Sequence, residues 1–186
     1  MNPLKINLKD YNVKLHLVRH GQDEQDKMGG WSDNHLTTLG IKQIQDLIPQ
    51  IDDHYDLFVA SDLVRTKETA EILNCKLNMN INYDPGFRET NNGCYKNMSK
   101  AEFNEHHYKR FTELEENESF GGGDTPNTFY NRVKDSFITL LENNKNKKIL
   151  LVTHGGVISV ILCLVKGVEY SNHVKMHPGT GGFIKL

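Results

Sequence analysis

The chain has 186 residues, of which 37% are hydrophobic and 25% charged, a balance that excludes a disordered chain and predicts one globular domain over residues 1–186. Its formal net charge of −2 argues against nucleic acid or a membrane surface as a partner, so an anionic ligand needs a local cluster of positive groups. No apolar run approaches the ~20 residues that span a bilayer, and the N-terminus lacks an apolar signal segment. Three widely spaced cysteines match neither a disulfide framework nor a metal site. The sequence therefore predicts a soluble, cytoplasmic protein.

Apolar runs typical of buried strands alternate with helical patterns along the chain. The strands are predicted at 13–18, 57–60, 81–83, 148–152 and 183–186. Helices are predicted from a cap at Thr38 to about Ile48 and from Leu63 to Leu73 with Ser61 or Asp62 as N-cap. Two more are predicted, one starting at Asp124-Thr125-Pro126 with the proline near its first position, and one from about Gly156 to Val165. This alternation favours a mainly parallel central sheet with helices on both faces, which is a three-layer α/β/α sandwich.

Two connections are longer than a compact domain normally needs. They cover residues 21–34 and 84–124, and the second includes a predicted helix over 99–111. Long connections in compact domains are usually functional or disordered, so we expect these two to determine substrate specificity.

Two of the predicted strands end in the same way. The first continues into Arg19-His20-Gly21, and the fourth continues into Thr153-His154-Gly155. The carboxyl ends of parallel strands share one edge, where open α/β sheets bind ligands, so both imidazoles should meet there. The helix after the second strand carries Arg65 in its first turn, where unpaired N–H groups suit an anion. Together with two arginines, which match phosphate oxygens in a bidentate way, the histidines predict a phosphate-sized site.

Each of these residues alone has a plainer interpretation. A histidine at a strand end is more often a hydrogen-bonded structural residue, and an arginine on a helix is usually a solvated charge. Taken together, the plain interpretations require four basic groups to meet at one sheet edge by chance. The combination therefore favours a functional site.

Six motifs follow one another along the chain. They are Leu17-Val-Arg-His-Gly21, Gly30-Trp-Ser-Asp33 with Leu36-Thr-Thr-Leu-Gly40, Ser61–Ala70, Phe87-Arg-Glu89, Gly122–Val133 and Thr153-His-Gly-Gly156. In this order they resemble the motifs of the histidine phosphatase superfamily, which has a phosphoglycerate mutase-like fold. Any three-residue motif is weak evidence, but the ordered set is specific and spans nearly the whole chain.

The resemblance implies hydrolysis of a small phosphorylated metabolite without a metal or other cofactor, by a phosphomonoesterase of histidine acid phosphatase type. It implies that His20 attacks phosphorus and forms a phosphohistidine. It further implies that Arg19, Arg65 and His154 bind the phosphoryl oxygens and that Glu89 donates a proton to the leaving group. This is chemically coherent if His20 is neutral, with its other ring N–H held by a carbonyl, and if His154 is a donor that is protonated when phosphate is bound.

The loop after Gly21 departs from the family pattern. Many members have Gly-Glu-Thr-x-x-Asn where this chain has Gly-Gln-Asp-Glu-Gln-Asp, and the family's Asn often contacts the phosphate. Asp26 in that place either points away from the site or serves a substrate with a cationic or hydroxyl-rich part. Gln22 is a candidate amide partner for the phosphate, whereas Asp23 and Glu24 have no assigned role.

Other polar residues have two interpretations. Trp31 could line the substrate entrance or anchor its own loop. Lys96 could contact a substrate carboxylate, although a surface lysine is the plainer interpretation. His106 and His107 suggest a metal site, but adjacent histidines do not share a helix face, so a solvated helix is the better interpretation.

Two other functions compete with hydrolysis. A phosphoglycerate mutase encloses a bisphosphate intermediate with extra segments, and the sequence after Glu89 lacks their usual pattern. A phospho-ligand binding module on a decayed catalytic fold conflicts with the presence of His20, Arg65, Glu89 and His154. The sequence makes no prediction of oligomeric state.

Overall fold

The computed structural model describes residues 4–172 and 174–186, and this part of the chain contains one five-stranded sheet. The strands are β1 (Lys14–Arg19), β2 (Leu57–Ala60), β3 (Ile81–Tyr83), β4 (Lys148–Thr153) and β5 (Phe183–Lys185). Their order is β3-β2-β4-β1-β5, and every pairing is parallel except that between β5 and β1. Strands lie in all five predicted places, and the sheet is mainly parallel as expected.

Helices cover both faces of the sheet. On one face lie α1 (Thr38–Leu47) and α2 (Val64–Leu77), and on the other lie α4 (Pro126–Asn143) and α5 (Gly155–Lys166). The short helix α3 (Lys100–Glu105) belongs instead to a separate apolar cluster in the connection between β3 and α4. Successive side chains of a strand point to opposite faces. Leu17 and Leu151 therefore pack in a core with α4 and α5, while Val18 and Val152 pack in a second core with α1 and α2. These two cores confirm the predicted three-layer α/β/α sandwich.

The register between β1 and β4 aligns the ends of the two strands. Val18 lies opposite Val152, and Arg19 lies opposite Thr153. The residue that follows each strand is a histidine, so the two histidines leave the sheet side by side. The register thus brings His20 and His154 together, as the predicted site requires.

The helix starts show which capping predictions were right. Helix α4 starts at Pro126, close to the predicted position of the proline, and Thr125 is its cap. The cap of α1 is Thr37 rather than Thr38, and its hydroxyl accepts a hydrogen bond from the backbone N–H of Gly40 at 3.1 Å.

The prediction that Ser61 or Asp62 caps α2 was wrong. The helix begins at Val64 without a side-chain cap. The hydroxyl of Ser61 instead lies 2.9 Å from Nε2 of His154, and the carboxylate of Asp62 pairs with Arg88. Both side chains are therefore engaged in tertiary contacts that the local sequence does not reveal.

Two helices differ in length from their predictions. Helix α2 continues to Leu77, past the predicted end at Leu73. Helix α3 is shorter than the predicted 99–111, because His107 adopts a positive φ of 52° that a helix cannot accommodate. None of the helices in the described part of the chain has the length and apolar character that a bilayer crossing requires. The prediction for the N-terminal segment falls partly on residues 1–3, which lie outside the described residues.

The long segment 84–124 has a small apolar core of its own. Phe103, Leu114 and Phe120 are buried together, and Met28 from the other long connection packs against them. The segment is therefore a folded structure attached to the sheet edge and not a plain connector.

The backbone that follows β1 packs directly on the start of α1. A Cβ atom on Gly40 would lie 2.0 Å from the carbonyl oxygen of Gln22, and one on Gly21 would lie 2.5 Å from the carbonyl oxygen of Gly40. Real Cβ atoms essentially never lie within 3.0 Å of another heavy atom. These two glycines therefore permit a contact that holds the chain after His20 in place.

Replacing Gly40 by alanine tests this contact. An alanine normally stabilises a helix by roughly 0.5–1 kcal/mol relative to glycine. Here the added methyl group meets backbone atoms, so we expect the free energy of unfolding to fall by about 1–3 kcal/mol. Gly29→Ala is the control, because its new Cβ has no atom within 4 Å, and it should change stability by less than about 1 kcal/mol. Urea unfolding measures both, and an unchanged or raised stability of Gly40→Ala would contradict the close packing.

Candidate active site

The side chains of His20 and His154 are neighbours at the carboxyl edge of the sheet. Their ring centroids are 5.1 Å apart, and the backbone N–H of His20 donates to the carbonyl oxygen of Thr153 at 3.0 Å. Only 5% of the surface of His20 and 0% of that of His154 is exposed. The structure therefore brings together the two imidazoles that the repeated strand ending predicted.

One ring nitrogen of His20 is held by the backbone. Its Nδ1 lies 2.7 Å from the carbonyl oxygen of Gly21. A carbonyl oxygen only accepts, so Nδ1 carries the proton and Nε2 of the neutral ring keeps a free lone pair. Burial, and next the positive charge of Arg65, lower the pKa of His20 well below its ordinary value of 6.5. The geometry therefore agrees with the predicted neutral tautomer of His20, in which a backbone carbonyl holds the other ring N–H.

The ring of His154 lies deeper than that of His20. Its Nε2 lies 2.9 Å from the hydroxyl oxygen of Ser61, and its Nδ1 is buried without a hydrogen-bond partner among the described residues. Burial, then Arg65 and His20, lower the pKa of His154 well below 6.5. His154 is thus neutral in this structure, whereas the sequence-based expectation of a protonated ring concerns the phosphate-bound state.

The guanidinium of Arg65 is buried, with 2% of the residue exposed, and not solvated on a helix surface. Its Nη2 donates to the carbonyl oxygen of Gly30 at 2.7 Å, and its Nη1 lies 3.3 Å from the hydroxyl of Ser32. Its Nε lies 3.5 Å from a carboxylate oxygen of Asp23. The loop 21–34 therefore fixes the orientation of this cation at the sheet edge.

Arg19 is anchored from the C-terminal part of the chain. Its Nη1 donates to the carbonyl oxygen of Pro178 at 2.9 Å and lies 3.1 Å from Nδ1 of His177. Its Nε is buried and, among the described residues, has no hydrogen-bond partner. Arg19 is thus a cation held in place by the C-terminal part of the chain, and it lines the cleft at this edge of the sheet.

Glu89 is held at the start of α5. One carboxylate oxygen accepts from the backbone N–H of Gly156 at 3.1 Å, and the other accepts from that of Thr90 at 3.1 Å. A Cβ atom on Gly156 would lie 2.3 Å from Oε1 of Glu89, so the second glycine of the Thr-His-Gly-Gly motif makes room for the carboxylate.

The backbone of Glu89 is fixed by two further side chains. Its carbonyl oxygen accepts from Nε1 of Trp31 at 2.7 Å and from Nη2 of Arg132 at 3.0 Å. Of the two interpretations of Trp31, the anchoring role agrees with this bond. Arg132, which lies within the Gly122–Val133 motif, also bonds the carbonyl oxygens of Gly86 and Arg88.

These groups surround a small cleft of about 220 Å³. Its lining residues are Arg19, His20, Asp23, Glu24, Gln25, Lys27, Gly29, Gly30, Arg65, Glu89 and Lys100. Four of them are cations and three are carboxylates. The excess of positive charge suits a small anion, and the carboxylates lie close to where it would bind. His154 is not part of the lining and reaches the site from behind His20.

Side chains of the loop after Gly21 differ in whether they reach the cleft. The side-chain oxygen of Gln22 accepts from the hydroxyl of Thr37 at 2.9 Å, and Gln22 does not line the cleft. Asp26 is exposed and also lies outside the lining, which agrees with the interpretation that it points away. Asp23, which stands where the family pattern has Thr, lines the cleft instead.

The other polar candidates lie elsewhere. Lys96 pairs with Asp33 at 3.0 Å on the surface. The ring of His106 stacks on Tyr108, while His107 occupies the turn after α3. Within residues 4–172 and 174–186, no group of three or more His, Cys, Asp or Glu side chains is arranged to hold a metal ion.

The two long connections are joined by backbone hydrogen bonds. The N–H of Met28 donates to the carbonyl oxygen of Met98 at 2.8 Å, and the N–H of Lys100 donates to that of Asp26 at 2.8 Å. Residues of both connections therefore border the cleft, and the two segments are held together there. That they determine specificity stays a prediction.

An open α/β sheet with cations and a neutral histidine in a cleft at its carboxyl edge is the architecture of an α/β protein that binds a small anion. Comparison with known proteins gives the family: the chain belongs to the histidine phosphatase superfamily (branch 1), whose family model matches residues 15–186. The resemblance drawn from the motifs is therefore confirmed.

The relatives include phosphatases and a mutase. Phosphoserine phosphatase 1 of Hydrogenobacter thermophilus is 30% identical over 167 residues, which cover 86% of this chain and 79% of that protein. A probable phosphoglycerate mutase, GpmB of Erwinia tasmaniensis, is 27% identical, and the match covers 84% of this chain and 76% of that protein. Among solved structures, phosphoserine phosphatase of Entamoeba histolytica in complex with 3-phosphoglyceric acid has a TM-score of 0.75 at 28% identity, covering 93% of this chain and 89% of the other.

The protonation states of the two histidines can be measured. In ¹⁵N-histidine-labelled protein at neutral pH, long-range ¹H–¹⁵N spectra should show His20 protonated on Nδ1 only, and neither His20 nor His154 should titrate near 6.5. His35 is the internal control, because its hydrogen bond to Glu68 raises its pKa.

The same lowered pKa values affect stability. As the pH falls below 6.5, His20 and His154 bind protons in the unfolded chain but not in the folded chain, so the free energy of unfolding should decrease. Titration of His20 at its ordinary pKa would contradict the buried, neutral ring.

Proposed function

We propose that this chain is a phosphatase that hydrolyses small phosphomonoesters through a phosphohistidine on His20. The observation that carries the proposal is the bond from Nδ1 of His20 to the carbonyl oxygen of Gly21, 2.7 Å long. It leaves the Nε2 lone pair free on a ring that lines a cationic cleft. Membership of the histidine phosphatase superfamily and the phosphatase relatives support the same chemistry.

In the first step, Nε2 of His20 attacks phosphorus and an N–P bond forms while the bond from phosphorus to the ester oxygen breaks. Arg19 and Arg65 stabilise the charge on the nonbridging oxygens, and His154, which lies behind His20, adds to this stabilisation. Glu89 donates a proton to the departing oxygen, so that a neutral alcohol leaves.

In the second step, water attacks the phosphorus of the phosphohistidine. Glu89, now ionised, accepts a proton from that water, and the electron pair of the N–P bond returns to His20. Phosphate leaves, and both residues regain their initial states. The position of Glu89 in the lining of the same cleft as His20 supports its use in both steps.

Metal independence is part of the proposal. The transition state of phosphoryl transfer needs positive charge and in-line positioning more than covalent assistance. Two guanidinium groups beside the nucleophile, one of them 2% exposed, are suited to supply that charge.

Hydrolysis is favoured over a mutase reaction by the acidic side of the cleft. A mutase must retain a bisphosphate intermediate next to its phosphohistidine. Asp23 and Glu24 line the same cleft as His20, and their carboxylates disfavour a second phosphate there.

The phosphohistidine can be trapped directly. Rapid acid-free quenching after mixing with a ³²P-labelled monoester should give a protein label that is labile in acid and stable in alkali. His20→Ala should abolish both the label and phosphate release, since no nucleophile remains. His54→Ala is the matched control, because its side chain is 81% exposed and outside the cleft, and it should behave like the unchanged protein. An acid-stable label would point to serine or threonine as nucleophile and contradict the mechanism.

The role of Glu89 is tested by the choice of leaving group. Glu89→Gln should lower kcat/KM for alkyl phosphates by about 10²–10⁴-fold, because the alkoxide then leaves without a proton. For 4-nitrophenyl phosphate, whose phenolate leaves unprotonated, the loss should be much smaller. An equal loss for both substrates would show that Glu89 orients substrate or water and does not act as the acid.

A further inference from the structure

A second and larger cavity, of about 470 Å³, adjoins the cleft that contains His20. Glu89 and Lys100 line both spaces. The smaller cleft has the size of a phosphoryl group with its immediate surroundings, while the larger one falls within the range of small-molecule pockets. A monoester with its phosphorus at His20 would therefore extend the rest of the molecule, here called the carrier, past Glu89 into the second cavity.

The second cavity has an aromatic wall. Phe103, Phe111 and Phe120 line it, and the rings of Phe111 and Phe120 have centroids 5.8 Å apart in an edge-to-face arrangement. Phe103 and Phe120 are only 2% and 3% exposed, because they are themselves part of the small apolar core of segment 84–124. A rigid apolar wall of this kind favours a carrier with an apolar body, such as a ring.

The remaining charge of the second cavity is strongly asymmetric. Lys100, Arg110 and Lys175 line it, and Glu89 is the sole carboxylate of the lining. Among the described residues, no carboxylate forms an ion pair within 4.0 Å of the side-chain nitrogens of these three residues. The carboxylate of Glu113 accepts from the backbone N–H of Arg110 at 2.6 Å and not from its guanidinium. Three nearby lysines behave differently, because each is paired with a carboxylate; they are Lys27, Lys96 and Lys109.

We propose that the carrier of the preferred substrate combines an apolar body with a second anionic group, which Arg110 and Lys175 bind. This inference rests on the proposed phosphatase function, since it assumes that the phosphoryl group lies at His20. It assigns the aromatic wall to the apolar body and the unpaired cations to the second anion. Because Arg110 and Lys175 are exposed, the selectivity weakens as the salt concentration rises.

Two isosteric substrates test the proposal. The enzyme is given 3-carboxyphenyl phosphate and 3-carbamoylphenyl phosphate, which differ by one negative charge and have similar size. At low ionic strength we expect kcat/KM to favour the carboxylate by at least about 5-fold, and the double variant Arg110→Gln/Lys175→Gln to remove that preference. Lys42→Gln/Lys145→Gln is the matched control: it removes the same net charge outside both cavities and should retain the preference.

The outcomes separate this proposal from the one on which it rests. If phosphate is released but both substrates react equally, or if the Arg110/Lys175 variant keeps the preference, the anion-binding role is overturned. If neither substrate releases phosphate, the proposed function fails. Calorimetric titration of both compounds into His20→Ala protein then measures, without turnover, whether the carboxylate binds more tightly than the carboxamide. Tighter binding of the carboxylate supports the site, and equal binding overturns it.

Discussion

The parallel register of β1 and β4 is the constraint on which the rest of the site depends. It places Arg19 opposite Thr153, so the next residues, His20 and His154, leave the sheet as neighbours. Buried there beside arginines, each ring would lose its solvation and face like charges if it gained a proton. One feature of backbone pairing therefore sets both where the imidazoles lie and that they are neutral.

Around the two rings, backbone groups set most of the distances. The carbonyl oxygen of Gly21 orients His20, and that of Gly30 orients Arg65. The N–H of Gly156 orients Glu89 in a space that a methyl group would fill. Because backbone positions are fixed by the sheet and by helix packing, the side chains that line the cleft are held in place before any ligand enters.

The sequence was most informative where a local pattern has only one structural outcome. The apolar runs and the repeated His-Gly ending predicted the sheet, its core and the meeting of His20 with His154. Predictions failed where a side chain has a choice of partners. Ser61 suits a helix cap by type but bonds His154 in the structure, and Asp62 pairs with Arg88. The contact of Gln22 with phosphate stays a prediction, and its side chain here bonds Thr37. Such long-range choices depend on which element packs nearby, and a single sequence does not encode that in its spacing.

The hydrogen bonds between the two long connections have a consequence for how specificity can change. Met28 bonds Met98 and Asp26 bonds Lys100 through the backbone, independent of side-chain identity, while Met28 also packs on the apolar core around Phe103. Transplanting segment 84–124 alone from a relative would keep these hydrogen bonds only if the incoming backbone matched residues 26–28. Side-chain substitutions that leave the backbone of both connections unchanged do not have to meet this requirement. Under the proposed role of the two connections, new selectivity is therefore accessible through point changes at the cavity walls, whereas loop grafting requires both connections to be exchanged together.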